Sequence, residues 1–342
     1  MIVVMQLGAT QEQIDAVCKV IRDHGHEPLV LPGQDRLAVG VPDSLGSDER
    51  SSIEGQIARL EGVSKVTQTS SPYKLASREF HRIGTKVEVG PVTFGGGKFV
   101  VIAGPCSVES YDQFSTSADI VKQAGGTVLR GGAFKPRTSP YSFQGLQVEG
   151  LQIIKQVGKE TGLTTISEVM TADMVGTVAE YVDILQIGAR SMQNFPLLIQ
   201  AGQSRKPVFL KRGPSATIDE FLLAAEYLLN QGNDQVILCE RGIMPLDRAY
   251  TRNTLDLAAV PVLKENTHLP VVVDPSHGTG VARYVEPMAK AALVAGADGI
   301  MVETHPEPLT ALSDAGQALD PVQFRGLMDS LRTLAPVCGT SL

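Results

Sequence analysis

Beyond residue 98 the chain repeats a simple pattern. Short apolar runs occupy 99–103, 127–131, 163–167, 183–187, 207–211, 235–239, 270–274 and 299–303. Each run has the length of a strand covered on both faces. Each is followed by a stretch with apolar positions three and four apart, as in Ile218, Phe221, Leu222, Ala225 and Leu228. Eight strand–helix units predict a (β/α)8 barrel over 99–342. The alternative is a doubly wound open sheet. That fold would carry a glycine-rich fingerprint after its first strand, and here that strand ends Ala103-Gly-Pro-Cys-Ser.

Residues 1–70 have a different rhythm. A short apolar strand at 2–6 precedes a helix over 11–23, with Ile14, Val17, Val20 and Ile21 on one face. Strands at 27–31 and 36–41 flank a Pro32-Gly33 turn. Ile53, Ile57 and Leu60 mark a second helix, and 63–69 a fourth strand. The order βαββαβ predicts a small ferredoxin-like domain, suited either to regulation or to packing. Residues 71–98 read as a polar, basic linker and then a hairpin, Lys86-Val-Glu-Val-Gly-Pro-Val-Thr-Phe, with alternating apolar positions.

Composition narrows the class. The 342 residues are 43% hydrophobic and carry a formal net charge of -7. An acidic whole argues against nucleic acid or an anionic membrane as partner. Any phosphate chemistry must then rest on a local basic cluster. The four cysteines, Cys18, Cys106, Cys239 and Cys338, form no CxxC pair, which fits a reducing compartment. The apolar start, Met1-Ile-Val-Val-Met, is too short and lacks the basic residues of a signal peptide. A cytoplasmic location is the expectation.

A barrel gathers its chemistry at the C-terminal ends of its strands. Two groups of residues fall there. One is cationic: Arg130, Lys135, Arg137, Arg190, Lys211, Arg212 and Arg241. Arginine forks and lysine point charges suit phosphate and carboxylate oxygens, although any single cation could instead pair with a carboxylate such as Glu168 or Glu240. The other group is Cys106, His277 and Glu303, with Asp314 further along. Thiolate, imidazole and carboxylate together suit a divalent transition metal, with His305 a rival ligand. Cys106 could equally be a small buried hydrophobe.

Several segments carry a resemblance. Gly104-Pro-Cys-Ser-Val-Glu-Ser110, the stretch from Leu129-Arg-Gly-Gly-Ala-Phe-Lys-Pro-Arg-Thr-Ser-Pro to Gly145, and Asp183-Ile-Leu-Gln-Ile-Gly-Ala-Arg190 resemble 3-deoxy-D-arabino-heptulosonate 7-phosphate (DAHP) synthases of class I. So do Cys239-Glu-Arg-Gly242, Thr251-Arg-Asn-Thr-Leu-Asp-Leu257, Asp274-Pro-Ser-His277 and Ala311-Leu-Ser-Asp314. Met1-Ile-Val-Val and Pro72-Tyr-Lys-Leu-Ala-Ser-Arg-Glu-Phe-His81 resemble the subgroup with an N-terminal ferredoxin-like domain. The resemblance implies condensation of phosphoenolpyruvate with erythrose 4-phosphate. It implies Arg130, Lys135 and Lys211 on the phosphoenolpyruvate carboxylate, and Ala189, Arg190 and Arg241 on its phosphate. Lys135, Pro136, Arg137, Thr138 and Ser139 would hold erythrose 4-phosphate, with Asp274 completing the substrate-binding set. Cys106, His277, Glu303 and Asp314 would bind a divalent metal, and Glu168 would position water. Catalysis would then rest on Lys135, Glu168, Lys211, Cys106 and His277. A homotetramer and feedback by an aromatic amino acid through residues 1–70 are also implied. The sister enzyme, 3-deoxy-D-manno-octulosonate 8-phosphate synthase, resembles Lys-Ala-Asn-Arg-Ser-Ser in the second loop, where this chain has Lys135-Pro-Arg-Thr-Ser-Pro.

Overall fold

The structure is a computed structural model and describes residues 1–31, 37–43, 45–67, 71–136 and 139–342. The Pro32-Gly33 turn expected from the sequence lies outside the described residues, as do Arg137 and Thr138. Two compact units divide the chain: residues 1–83 with 266–268, and residues 84–265 with 269–342.

The first unit orders β1 (Ile2–Met5), α1 (Gln11–Asp23), β2 (Leu29–Leu31), β3 (Ala38–Gly40), α2 (Ser47–Ile57) and β4 (Val63–Thr67). The sheet order is β2-β3-β1-β4 and the pairs are antiparallel, the ferredoxin-like arrangement. Thr10 opens α1 with a capping box to Gln13. Ile14, Val17, Cys18 and Ile21 of α1 pack with Ile53 and Ile57 of α2 over Val3, Met5 and Val39. The apolar spacing that predicts these helices is the stripe they bury.

The second unit opens with a hairpin, β5 (Val87–Val89) and β6 (Val92–Phe94). Eight parallel strands then close into a barrel. They are β7 (Val100–Gly104), β8 (Val128–Arg130), β9 (Thr164–Val169), β10 (Ile184–Ile187), β11 (Val208–Lys211), β12 (Val236–Glu240), β13 (Val271–Val273) and β14 (Gly299–Glu303). β14 pairs with β7 in register, Gly299 opposite Val100, which leaves no free edge. The outer helices are α3 (Tyr111–Gln123), α4 (Val148–Thr161), α5 (Val175–Ala179), α6 (Phe195–Gln203), α7 (Ile218–Leu229), α8 (Ala259–Asn266), the short α9 (Pro275–Thr279), α10 (Ala282–Val294) and α11 (Pro321–Leu334).

The barrel interior is a packed core. Val100, Ile102, Val128, Ile166, Ile184, Phe209, Ile237, Val272 and Met301 meet there, and Cys239 is one of them. Val87, Val89, Val92 and Phe94 of the hairpin join the same cluster and floor the barrel at the N-terminal ends of its strands. The hairpin closes the barrel interior at that end, and reactive groups in such a barrel gather at the opposite rim.

Candidate active site at the C-terminal rim

The last residues of the strands and the loops after them surround one cavity of about 400 Å³. Its walls include Arg130, Lys135, Arg190, Lys211 and Arg241, together with Glu168, His277 and Asp314. Pro136 and Ala189 also line it. Ser139 does not: it lies on an exposed turn, where its hydroxyl accepts from the Tyr141 N–H. Arg212 also departs from the expected cation rim. It is buried away from the cavity, with Nη1 2.8 Å from Glu240 and 2.9 Å from Asp256, and Nε donating to the Ala216 carbonyl. Its neighbour Lys211 points inward because successive strand residues face opposite sides.

At the cavity floor stands the soft, anionic group. Donor atoms of Cys106, Glu303 and Asp314 lie within 4.8 Å of one another, a separation one ion can span. Cys106 Sγ donates to Asp314 Oδ2 at 3.3 Å and sits 3.0 Å from the Ser313 hydroxyl. Lys135 Nζ donates to both the sulfur and the carbonyl of Cys106, each at 3.0 Å. Burial, aided by Glu303, pushes the Cys106 thiol up to about 11 against the pull of Lys135 and Arg130. Without a Lewis acid it stays protonated at neutral pH.

His277 borders this group. Its Nδ1 is 2.7 Å from Asp274 Oδ2, and its Nε2 is 3.2 Å from Glu303 Oε1. The Asp274 carboxylate orients the imidazole and leaves Nε2 facing Glu303. The donor set of thiol, imidazole and carboxylates therefore fits a divalent transition ion. His305 stands apart. Its Nδ1 accepts from the Glu307 N–H, and its Nε2 faces Glu109 at 3.6 Å.

Asp274 ties the two groups together. It caps α9 by accepting from the His277 N–H at 2.9 Å, and it accepts from Lys211 Nζ at 2.7 Å. Burial alone would raise its pKa, but His277 and Lys211 outweigh burial and hold the carboxyl well below the usual range. Glu303 behaves alike: it is wholly buried, yet His277 and Arg130 keep it ionised. Arg130 pairs with Glu303 directly. On the far wall Gln186 donates to Glu168 at 3.2 Å, and Arg190 donates to the Pro136 carbonyl at 3.1 Å. Burial lowers the pKa of Arg241, the mark of a cation held in a poorly solvated wall.

Three site residues carry no strand-end signal in the sequence: Arg252, Asn253 and Gln317. Arg252 and Asn253 line the cavity from the long connection between β12 and α8. That segment folds back through an Ile243–Thr254 bridge and is held by Asn253 Nδ2 donating to the His277 carbonyl at 2.9 Å. The resemblance of residues 251–257 to DAHP synthases marks the segment in the sequence, but no strand end places it at the rim.

Comparison with known proteins agrees with this geometry. Residues 77–335 match the DAHP synthetase I family, and residues 1–71 match the DAHP synthase ferredoxin-like domain. A phospho-2-dehydro-3-deoxyheptonate aldolase of Thermotoga maritima is 46% identical over the full length of both chains. Its crystal structure superposes with a TM-score of 0.79, covering 99% of this chain and 98% of that one. A truncated form of the Thermotoga maritima enzyme covers 78% of this chain and 98% of its own, with a TM-score of 0.73. A 2-dehydro-3-deoxyphosphooctonate aldolase of Syntrophobacter fumaroxidans is 32% identical over 71% of this chain and 90% of its own. The barrel and the small domain are thus matched together, and the chain belongs to the DAHP synthetase I family, in the class that carries an N-terminal ferredoxin-like domain.

Proposed function

We propose that this chain is a metal-dependent synthase that condenses phosphoenolpyruvate, erythrose 4-phosphate and water to DAHP and phosphate, the first step of the shikimate pathway. One observation carries the reading: six cations line a single cavity that is also lined by Asp314 of the Cys106–Glu303–Asp314 cluster. Two small anions that must react with each other need such a wall, since their mutual repulsion is otherwise a barrier.

In this reading Arg130, Lys135 and Lys211 hold the phosphoenolpyruvate carboxylate. The Ala189 backbone, Arg190 and Arg241 hold its phosphate. Pro136, Arg137 and Thr138 attend erythrose 4-phosphate beside Lys135, and the exposed turn at Ser139 would have to close over the cavity to join them. Cys106, His277, Glu303 and Asp314 hold the divalent ion, which when bound polarises the aldehyde oxygen. Lys135 and Lys211 act as fixed positive charges. The Asp274 partner of Lys211 supports this, because its carboxylate holds Nζ in a buried ion pair at 2.7 Å. The enol carbon attacks the aldehyde, a water oriented by Glu168 adds at the cation-like C2, and phosphate leaves. Asp274 keeps both Lys211 and His277 in place throughout.

The finer properties belong to the same proposal. Residues 1–70 form a regulatory unit, for which tyrosine and phenylalanine are the effectors to test, and the assembly is a homotetramer. The protein works in the cytoplasm, without nucleic acid or membrane. All four cysteines are free, in keeping with a reducing compartment; no helix among the described residues is long and apolar enough to cross a membrane. Phosphate release should require a divalent ion, vanish on chelation and return on add-back, with erythrose 4-phosphate preferred over arabinose 5-phosphate. Preference for arabinose 5-phosphate would instead assign the octulosonate reaction. No turnover with either sugar in the presence of metal would refute the enzymatic reading.

A further inference from the structure

Gln317 ends a single 3-10 turn (Ala315–Gln317) that follows Asp314. It is only 2% exposed, an unusual place for an amide without a task. Its Nε2 donates to Glu303 Oε2 at 2.8 Å. Its Oε1 accepts from Arg252 Nη1 at 3.1 Å, and the same Nη1 lies 3.4 Å from Asp314 Oδ1. Only one orientation of the amide satisfies this pair, since the guanidinium has no acceptor and the carboxylate no donor.

Glu303 thus has its two oxygens divided. Oε2 is taken by Gln317, while Oε1 faces His277 Nε2 and Arg130. From this division we infer that Gln317 is a positioning residue for the metal, leaving Glu303 to ligate through Oε1 alone and, through Arg252, steadying Asp314. The inference rests on the metal-dependent reading above and adds the residue that sets how the carboxylates are offered. A carboxylate limited to one oxygen suits a transition ion of low coordination number. It disfavours Ca²⁺, which gathers about 6–8 oxygens, often from bidentate carboxylates. Asp314 also needs support, because its backbone is left-handed at φ +50°, a strained conformation for a non-glycine residue.

The test uses the full chain, stripped of metal. Wild type, Gln317→Met and Gln317→Glu are titrated with Co²⁺ against a chromophoric chelator, while the visible d–d and thiolate-to-metal bands are recorded. Methionine keeps the volume and removes the donor. Glutamate keeps the acceptor for Arg252 and sets a carboxylate against Glu303. Both should bind Co²⁺ about 10–100-fold more weakly than wild type, with altered band positions or intensities. An unchanged affinity and spectrum in folded Gln317→Met overturns the inference; if that variant does not fold, the same result in Gln317→Glu overturns it. A wild-type chain that binds no Co²⁺ would overturn the metal-dependent reading as well, which separates the two failures.

Discussion

Arg190 and Arg212 look alike in the sequence, each the cation just past a strand end, yet the fold uses them differently. Arg190 lines the cavity and, among the described residues, its side chain donates only to the Pro136 carbonyl. Arg212 is buried between Glu240 and Asp256. Removing one partner from such a buried set leaves charge without compensation, at a cost of about 3–5 kcal/mol. Arg212→Leu should therefore lower the urea midpoint strongly, while Arg190→Leu should shift stability by no more than about 0.5 kcal/mol and weaken phosphoenolpyruvate binding. Equal midpoints for the two variants would contradict the assignment. A second residue gives a pH signature. His268 is buried, its Nε2 donates to the Leu75 carbonyl, and burial, aided by His81 and Arg78, lowers its pKa to about 4. The folded value lies below the unfolded value of about 6.5, so its contribution is whole above that pH. It is lost as pH falls toward 4, because only the unfolded chain takes up the proton. The loss by pH 5 is about 2 kcal/mol. Urea unfolding at pH 7 and pH 5 should show a smaller difference for His268→Gln than for wild type; the same difference in both would rule His268 out as its source.

At the scale of elements, the turn from β7 into its loop depends on Gly104. Its φ is +149°, and a Cβ there would run into the Arg130 carbonyl oxygen, with the Arg130 backbone N and C both at 3.1 Å. The strands β7 and β8 are paired at this point, so neither can yield alone. Gly104→Ala should cost about 2–5 kcal/mol through strain and overlap, and should weaken metal binding because Cys106 lies two residues on. A melting temperature and metal affinity equal to wild type would sink that expectation. The strands themselves were legible in the sequence, since a barrel strand covered on both faces must be a short apolar run: 99–103 and 299–303 coincide with β7 and β14 within a residue. Connections are another matter. Arg252 and Asn253 reach the cavity only because the segment after β12 doubles back on Thr279 and Gly278, and Gln317 reaches Glu303 only through the turn that follows Asp314. Such contacts depend on loop path, which periodicity does not encode. The neutral amide of Gln317 also offers no charge to attract notice, whereas Cys106, His277 and Glu303 announce themselves by residue type.

The whole molecule sets a boundary for dissection. The hairpin at 87–94 reads in sequence as an appendage of the linker, but it belongs to the barrel. Val87 and Phe94 are fully buried, and Val89 and Val92 nearly so, in the cluster that fills the strand starts. Exposing four such side chains forfeits about 6–12 kcal/mol at about 1.5–3 kcal/mol each. A domain of this kind holds only about 5–15 kcal/mol in total. A chain beginning at Gly84 should therefore fold as a cooperative barrel and bind metal, while one beginning at Lys98 should lose the cooperative transition and expose apolar surface to a hydrophobic dye. The solved truncated relative, which covers 78% of this chain, makes the first outcome the natural expectation. If the Gly84 chain also turns over substrate but no longer responds to tyrosine or phenylalanine, the regulatory assignment of the first unit gains its direct support. Should the Lys98 chain unfold as sharply, and at the same temperature, as the Gly84 chain, the hairpin would be an ornament and the floor of the barrel would have to be sought elsewhere.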